Sequence, residues 1–294
     1  MANLKEVRNR ISSVSSTQQI TSAMKMVSAA KLRRAQDAVV SLRPYAEKLK
    51  EILSNLTSAT GGGAKNYSNQ REIKQVLLVA ITSNRGLCGP FNANVLKLVK
   101  KLANEKYADY RVSVLPIGKK ADDFFKNTEL HIIGSDMPKR LHKLYDDLTF
   151  EKVAAVAEKI MDNFILDEFD RVDLVYNQFK NASVQILTEE QYLPVLPPES
   201  DESTNNVVAD YIFEPTKEEI VEELIPRSLK VQLFRAILES YAAEHGARMT
   251  AMHKATDNAS EMLKELKITY NKARQASITN EIIEIVGGAQ ALNN

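Results

Sequence analysis

The sequence predicts an α/β protein in which a largely parallel α/β domain is inserted into a long antiparallel coiled coil of the N- and C-terminal helices. Three observations carry this prediction. Apolar residues recur with a 3.5-residue period at the N-terminal end of the 294-residue chain, and the same period returns at the C-terminal end. Between the two ends, strand-like and helix-like patterns alternate.

The N-terminal helix is predicted from Leu4 to Leu56 by alternate steps of three and four residues. Twelve of the sixteen positions on these steps are apolar, and a period held for so long is typical of a coiled-coil seam. Pro44 lies inside the pattern, and because proline removes a backbone hydrogen bond we expect a kink there. The four polar positions of the seam are consecutive: Gln18, Thr21, Lys25 and Ser28.

The C-terminal seam is predicted from Phe234 to Ile283, where eleven of fifteen positions are apolar. No proline follows Pro226 in this stretch, and the pair Gly287-Gly288 predicts the end of the helix. Two long seams at opposite ends of one chain predict an intramolecular antiparallel pair.

Between the seams, strands alternate with helices, which predicts a largely parallel, Rossmann-like sheet. Apolar runs predict strands at Gln75–Thr82, Arg111–Ile117, Leu130–Ile133, Val172–Phe179 and Ser183–Pro194. Helical spacing predicts helices at Asn94–Ala103, near Lys119–Lys126 and at Phe150–Phe164.

The predicted organisation has five parts. They are the N-terminal coiled-coil helix (1–60), a flexible linker (61–74), the α/β domain (75–194), an acidic connector (195–225) and the C-terminal coiled-coil helix (226–294). Residues 1–60 carry ten basic and four acidic side chains, whereas 199–224 carry nine acidic and one basic. The total charge of +1 therefore conceals a basic rod and an acidic connector.

Composition excludes several classes of protein. A hydrophobic fraction of 44% excludes dominant disorder, and a net charge of +1 does not favour a nucleic-acid binder. No apolar run approaches the roughly 20 residues that a membrane-spanning helix needs. The single cysteine, Cys88, excludes an internal disulfide framework and fits a reducing compartment. The first residues lack a targeting pattern, so we expect an intact start and a cytoplasmic location.

No catalytic, cofactor or metal site is expected from the residues. The loop Ser83–Pro90 follows a predicted strand, as phosphate-binding loops do, but it matches neither G-x-x-x-x-G-K-[ST] nor G-x-G-x-x-G. Cys88 has no histidine near it in the sequence, which favours a buried structural thiol. His245 and His253 are two helical turns apart, too far for one metal ion.

The polar seam positions predict a helix pair that loosens or rotates, because an unpaired buried polar group costs about 1–3 kcal/mol. His245 and Arg248 interrupt the second seam in the same way. Ile20, Met24 and Val27 add an apolar stripe to another face of the basic helix, which favours a contact surface for other subunits. The alternative is that the α/β domain packs on this stripe.

Six segments carry long motifs that span both termini and the central domain. They are Thr17–Val27 with Lys31-Leu32, Arg43–Glu47, Ser83–Pro90, Tyr211–Pro215, Ala251–Ala259 and Tyr270–Glu281. Together they closely resemble the gamma subunits of the F-type ATP synthases, in their bacterial form.

The resemblance implies a non-catalytic central shaft, without cofactors, inside a ring of alpha and beta subunits. It implies ring contacts at Met24, Lys25, Lys31, Arg34, Arg274, Gln275, Thr279 and Glu281, with the apolar tip Ile278–Gln290 held in the bearing of the ring. It implies contacts with the epsilon subunit and the membrane rotor ring of c subunits at Tyr211, Phe213 and Glu214. The chain would then lie at the cytoplasmic face of the bacterial inner membrane, peripherally, without direct membrane insertion or a nucleic-acid partner.

On this interpretation, rotation of the shaft couples proton flow through the membrane rotor to ATP synthesis. One alternative is a nucleotide-binding α/β enzyme with a coiled-coil oligomerisation arm, which would bind nucleotide by itself. Another is a passive coiled-coil scaffold, which the polar seam at 18–28 argues against. Gly246 interrupts the predicted C-terminal helix, and we expect a flexible point there.

Overall fold

The computed structural model describes residues 4–60, 65–68, 71–132, 137–195 and 216–292. The chain divides into two compact units, one of Met1–Ala29 with Arg248–Asn294 and one of Ala30–Ala247. Within the described ranges, no helix combines the length and the apolar character needed to cross a membrane.

The helices and strands alternate between two very long terminal helices. The helices are α1 (Leu4–Thr60), α2 (Lys65–Ser68), α3 (Phe91–Lys101), α4 (Lys119–Phe125), α5 (Phe150–Ile165) and α6 (Lys217–Leu292). The strands are β1 (Gln75–Ile81), β2 (Arg111–Ile117), β3 (Arg171–Phe179) and β4 (Gln185–Leu193). A π-helical turn at Leu102–Lys106 extends α3, and a 3-10 turn covers Leu141–Tyr145.

The four strands form one sheet in the order β2-β1-β3-β4. Strand β1 is parallel to both β2 and β3, whereas β4 is antiparallel to β3. The antiparallel pair arises from a tight turn in which Asn181 Oδ1 accepts hydrogen bonds from the backbone N–H groups of Ser183 and Val184, at 3.0 and 2.7 Å. The predicted largely parallel sheet is therefore confirmed.

Both faces of the sheet are covered by helices. On one face Leu77 and Val79 of β1 share a core with α5 and with the part of α6 around Leu233. On the other face Val76 and Leu78 share a core with α3 and α4. A strand buried on both faces reads as a continuous apolar run, which is why the sequence of β1 does not alternate.

Two local predictions are wrong. Leu130–Ile133 does not form a strand in its described part, where His131 makes only an isolated bridge to Val114. Helix α6 does not end at Gly287-Gly288 but continues to Leu292, because neither glycine adopts the positive φ of a glycine cap. Helix α6 also begins at Lys217, so that Pro226 lies inside it, as Pro44 lies inside α1.

Candidate functional site on the terminal helices

In the first unit, α1 and α6 meet along the seam that the sequence predicts. Val7, Thr21 and Ser28 of α1 are buried, as are Met252 and Ala259 of α6. The remaining predicted seam positions of α1 in this unit are half-buried. The spacing of inward-facing residues on α1 therefore confirms the coiled-coil prediction.

Side-chain hydrogen bonds across the seam fix the direction and register of the pair. Gln18 Nε2 donates to Ser260 Oγ at 2.7 Å, and Thr256 Oγ1 donates to Thr21 Oγ1 at 2.8 Å. The residue with the higher number on α1 therefore contacts the residue with the lower number on α6, as an antiparallel pair requires.

The polar seam positions are paired, contrary to the expectation of a loosened contact. Thr21 Oγ1 donates to the backbone oxygen of Gln18 at 3.0 Å, and Ser28 Oγ donates to that of Met24 at 2.8 Å. Because each buried hydroxyl has a partner, the penalty for an unpaired polar group does not arise. A paired polar layer instead specifies one register among the alternatives that an apolar seam allows.

Lys25 takes part in a charged group within this pair. Its Nζ lies 3.4 Å from His253 Nδ1, which lies 3.4 Å from Asp257 Oδ2. The neutral imidazole can accept from the lysine, whereas the protonated imidazole donates to the carboxylate. Lys25 is half-buried, so its predicted contact with a ring subunit must compete with this internal partner.

The predicted seam of α6 is only partly right after Ala259. The predicted positions Leu266 and Ala273 are half-buried, as are Leu263, Tyr270 and Ser277, whereas the other predicted positions are exposed: Met262, Thr269, Ala276, Asn280 and Ile283. Arg8 Nη2 donates to Tyr270 Oη at 2.9 Å across the seam. After Ala259 the steps alternate in the opposite order, four residues and then three, so every second predicted position is kept and the others move by one residue. The apolar character of Leu263 and Tyr270 is the feature of the sequence from which these seam positions could have been predicted.

The other predicted contact residues of α1 differ in exposure. Met24 is half-buried, whereas Lys31 and Arg34 are exposed. In the first unit, Ile20 and Val27 are 60% and 57% exposed. These side chains are available to a partner, which favours the contact surface over a stripe covered by this chain.

The end of α6 presents a second exposed surface. Arg274, Gln275, Thr279 and Glu281 are all exposed, and Thr279 Oγ1 donates to the backbone oxygen of Gln275 at 2.9 Å. Large apolar side chains alternate with them and are 48–70% exposed: Ile278, Ile282, Ile283, Ile285 and Val286. A run of exposed isoleucine and valine on a helix is typical of a surface that another protein covers.

The predicted contacts at Tyr211, Phe213 and Glu214 lie outside the residues that the structure describes.

The loop after β1 is shaped by hydrogen bonds of its own side chains. Ser83 Oγ donates to the backbone oxygen of Arg85 at 2.6 Å, and Asn92 Nδ2 donates to Cys88 Sγ at 3.2 Å. Leu87 and Gly89 both have a left-handed backbone, with φ of 62° and 60°. Cys88 is 1% exposed, in agreement with its interpretation as a structural thiol.

The chain itself fills the place where sheets of this type bind ligands. Ligands of open parallel sheets bind beyond the carboxyl ends of two strands at which the strand order reverses, here β1 and β3. At these ends, Ala243 and Ala247 of α6 pack with Cys88, Phe91 and Phe179. This packing argues against the nucleotide-binding alternative.

Gly246 belongs to the same contact. A Cβ at this position would lie 3.2 Å from both the Cα and the backbone oxygen of Ala182. The glycine is therefore explained by the close approach of α6 to the β3–β4 turn, and a flexible point is not needed to account for it.

Within the described part of the chain, no group of three or more histidine, cysteine, aspartate or glutamate residues could hold a metal ion. His245 packs edge-on against Tyr241, with ring centroids 4.5 Å apart, and His253 takes part in the seam.

Comparison with known proteins identifies relatives along the whole chain. The family model described as ATP synthase matches residues 3–292. The chain is 58% identical over 294 residues to the ATP synthase gamma chain of Flavobacterium johnsoniae, with 100% of both chains covered. It is 59% identical over 293 residues to the ATP synthase gamma chain of Flavobacterium psychrophilum, with 99% of both chains covered.

A solved structure supports the same assignment. A chain in the central stalk and c-ring structure of the Tetrahymena thermophila mitochondrial ATP synthase matches with a TM-score of 0.58 at 25% identity. The match covers 80% of this chain and 99% of that chain. From these matches, this chain belongs to the family of ATP synthase gamma chains.

Proposed function

We propose that this chain is the central rotor shaft of an F-type ATP synthase and that it couples proton flow to ATP synthesis without catalysing a reaction itself. The observation that carries the proposal is the terminal helix pair, whose seam is fixed by specific polar bonds while the end of α6 is exposed and apolar. Partners of this shaft would be the alpha and beta subunits of the ring.

The shape of the pair supports a role in rotation. Two helices of different sequence have no threefold symmetry, so they cannot present the same face to three equivalent subunits. Each subunit around them therefore meets different side chains, and each orientation of the pair stabilises a different conformation of each neighbour. Turning the pair exchanges these conformations in sequence.

The exposed charges of α1 would guide the motion without arresting it. Lys31 and Arg34 are exposed. An exposed ion pair contributes only about 0–1 kcal/mol, so contacts with acidic segments of a beta subunit can form and break as the shaft turns. Many weak contacts suit a rotor better than a few strong ones.

The α/β domain would form the foot of the shaft. We propose that it and the segment containing Tyr211, Phe213 and Glu214 contact the epsilon subunit and the membrane rotor ring of c subunits, at the cytoplasmic face of the inner membrane. We also propose that the chain is organised in the five parts that the sequence predicts.

Reconstitution tests the proposal. The chain is mixed with purified alpha and beta subunits, the ring is fixed to a surface, and a bead on the α/β domain reports rotation when ATP is added. We expect continuous rotation in one direction and ATPase activity that requires all three chains. A complex that hydrolyses ATP while the bead stays still would refute the proposal that this chain is a rotor shaft.

The enzyme alternative is tested on the isolated chain. Equilibrium dialysis with ATP, ADP and NAD should give no saturable binding, since α6 occupies the crevice at β1 and β3. Binding at micromolar nucleotide, abolished by a bulkier residue at Gly86, would favour the enzyme.

A further inference from the structure

A second polar group of the chain lies where α6 crosses the edge of the sheet, entirely within the second unit. Its centre is Glu190 of β4, which no sequence motif singled out. We call Glu190 with its three side-chain donors, Tyr176, Gln232 and Arg235, the Glu190 cluster.

Three donors from two elements converge on one carboxylate. Tyr176 Oη of β3 donates to Glu190 Oε2 at 2.8 Å. Gln232 Nε2 and Arg235 Nη2 of α6 donate to Glu190 Oε1 at 2.7 and 2.8 Å. Because Gln232 and Arg235 are three residues apart, they lie on one face of the helix and both point to the strand.

The cluster is partly shielded from water. Tyr176 is 1% exposed, whereas the side chains of Glu190 and Arg235 are 24% and 37% exposed. Burial lowers the pKa of Arg235, but Glu190, Tyr176 and Glu239 together outweigh burial and raise that pKa above its ordinary value. Arg235 therefore stays charged, and its bond to Glu190 is charge-assisted, about twice as strong as a neutral one.

A second carboxylate competes for the same arginine. Glu239 lies one turn beyond Arg235 on α6, and its Oε2 is buried without a hydrogen-bond partner among the described residues. Arg235 Nε is likewise buried without one. Arg235 is thus bonded to the strand rather than to the glutamate of its own helix.

Neighbouring bonds hold the same length of α6. Tyr192 Oη of β4 donates to the backbone oxygen of Leu229 at 3.0 Å, and Lys230 Nζ of α6 donates to Glu158 Oε1 of α5 at 2.5 Å. Glu190 of the edge strand accepts three side-chain bonds at its two carboxylate oxygens, one from a charged donor and two from neutral donors. Strand β4 has a sheet neighbour on one side only, so its bonds to α6 decide how firmly the two move together.

We propose that Glu190 and Arg235 are positioning residues for energy coupling: they fasten α6 to the sheet so that rotation of the α/β domain is transmitted to the helix. This inference rests on the proposed function as a rotor shaft. Twisting α6 against the sheet would stretch the two bonds that Gln232 and Arg235 donate to Glu190, whereas the bond from Tyr176 lies within the sheet. Loss of the charged pair leaves the apolar core in place but lowers the torsional stiffness of the contact between α6 and the sheet.

The test uses the assembled complex of the full chain with alpha and beta subunits. The ring is held in one state, and a bead on the α/β domain reports the mean-square angular fluctuation, which varies inversely with torsional stiffness. For Glu190→Gln and for Arg235→Gln we expect roughly a twofold rise, because a charge-assisted bond becomes a neutral one. In the double variant the rise should equal that of either single variant, since both remove the same pair.

Two matched controls use neighbouring glutamates. Glu189 is the next residue of β4, and its bond is to Lys106 Nζ at 2.5 Å, on the face away from α6. Glu239→Gln removes the competing carboxylate and leaves the bond between Arg235 and Glu190. We expect Glu189→Gln and Glu239→Gln to fluctuate no more than the wild type.

A readout in the complete, membrane-bound enzyme separates positioning from general stability. Glu190→Gln should lower the number of protons pumped per ATP hydrolysed while the ATPase rate stays at the wild-type level. Should Glu190→Gln fail to assemble, Gln232→Ala removes one bond of the cluster and should give a smaller rise in fluctuation.

The outcomes distinguish this inference from the proposed function. Suppose that the wild-type complex rotates but Glu190→Gln fluctuates no more than Glu189→Gln. The proposed role of Glu190 and Arg235 is then refuted, while the proposed function as a rotor shaft stands. The same conclusion follows if Gln232→Ala has to be used and fluctuates like the wild type. Additive effects in the double variant would also refute that role. If the wild-type complex does not rotate at all, the proposed function itself fails.

Discussion

Helix α6 behaves differently in the two units of the chain. In the second unit, every residue from Ala242 to Ala247 is buried, and Leu229, Leu233 and Ile237 belong to the core beneath the sheet. In the first unit, α6 buries only one narrow face, and every residue from Ile278 to Ala289 is exposed. One continuous helix is thus held on many sides in one unit and on one side or none in the other.

The difference teaches how a single helix can serve two purposes. In the second unit, apolar burial at about 25 cal/mol per Å² stabilises the position of the helix. At the tip, isoleucine and valine remain in water, so the corresponding stabilisation is available to a partner. The tip can therefore be altered with little effect on the chain, whereas the sheet-bound part cannot.

The largest effect is expected from the core of the sheet-bound part. Leu233→Ala removes a side chain that is 0% exposed, and we expect unfolding to become easier by about 2–5 kcal/mol because a cavity is left. Ile282→Ala at the tip is the matched control and should change the free energy of unfolding by less than about 0.5 kcal/mol. Urea titration of both variants measures the contrast, and equal losses would contradict it.

The close approach at Gly246 should give the next effect. Gly246→Val places a branched side chain against Ala182, and we expect a loss of about 1–3 kcal/mol from overpacking. Gly246→Ala needs a smaller shift and gains up to about 1 kcal/mol of helix propensity, so it should be nearly neutral. Thermal unfolding of the two variants checks this. A stabilised valine variant would show that the turn can move away.

A pH-dependent effect is expected at Glu239, in the sheet-bound part. Burial raises the pKa of this carboxyl above its ordinary value of 4.5, although Arg235 opposes the rise. The folded chain therefore binds the proton more tightly than the unfolded chain, and its stability falls as pH rises above 4.5 through the folded pKa.

Glu239→Gln lacks this penalty. We expect its unfolding midpoint, relative to the wild type, to be higher at pH 7 than at pH 4.5. Glu284→Gln, at the exposed tip of α6, is the control and should show no such pH dependence. An advantage of Glu239→Gln that is the same at both pH values would mean that its cause is not ionisation.

The smallest effect is expected from an exposed charge. Lys31→Glu should weaken the coupling of ATP hydrolysis to proton pumping only modestly, since an exposed ion pair is worth about 0–1 kcal/mol. Proton pumping per ATP in membrane vesicles measures it. Complete loss of proton pumping in an assembled complex would contradict the proposal, because it would mean that this single contact contributes far more than an exposed ion pair.

Local patterns predicted much of the fold. The 3.5-residue period located the inward face of α1, and the apolar run of β1 predicted a strand buried on both faces, because burial on a regular element repeats with the geometry of that element. Strand β2 was predicted at Arg111–Ile117, where it lies. The candidate contact residues at Lys31, Arg34 and Arg274 are exposed, but their partners remain predictions.

The sequence by itself determined which segments are helices and strands and that the two ends carry matching seams. Only the tertiary structure decided that Leu263, Tyr270 and Ser277 belong to the seam of α6, that Gln18 bonds to Ser260, and that Ala243 fills the ligand crevice. The physical reason is that periodicity records whether a residue is buried, whereas pairing depends on which distant residue stands opposite it. That choice is made by packing between elements far apart along the chain.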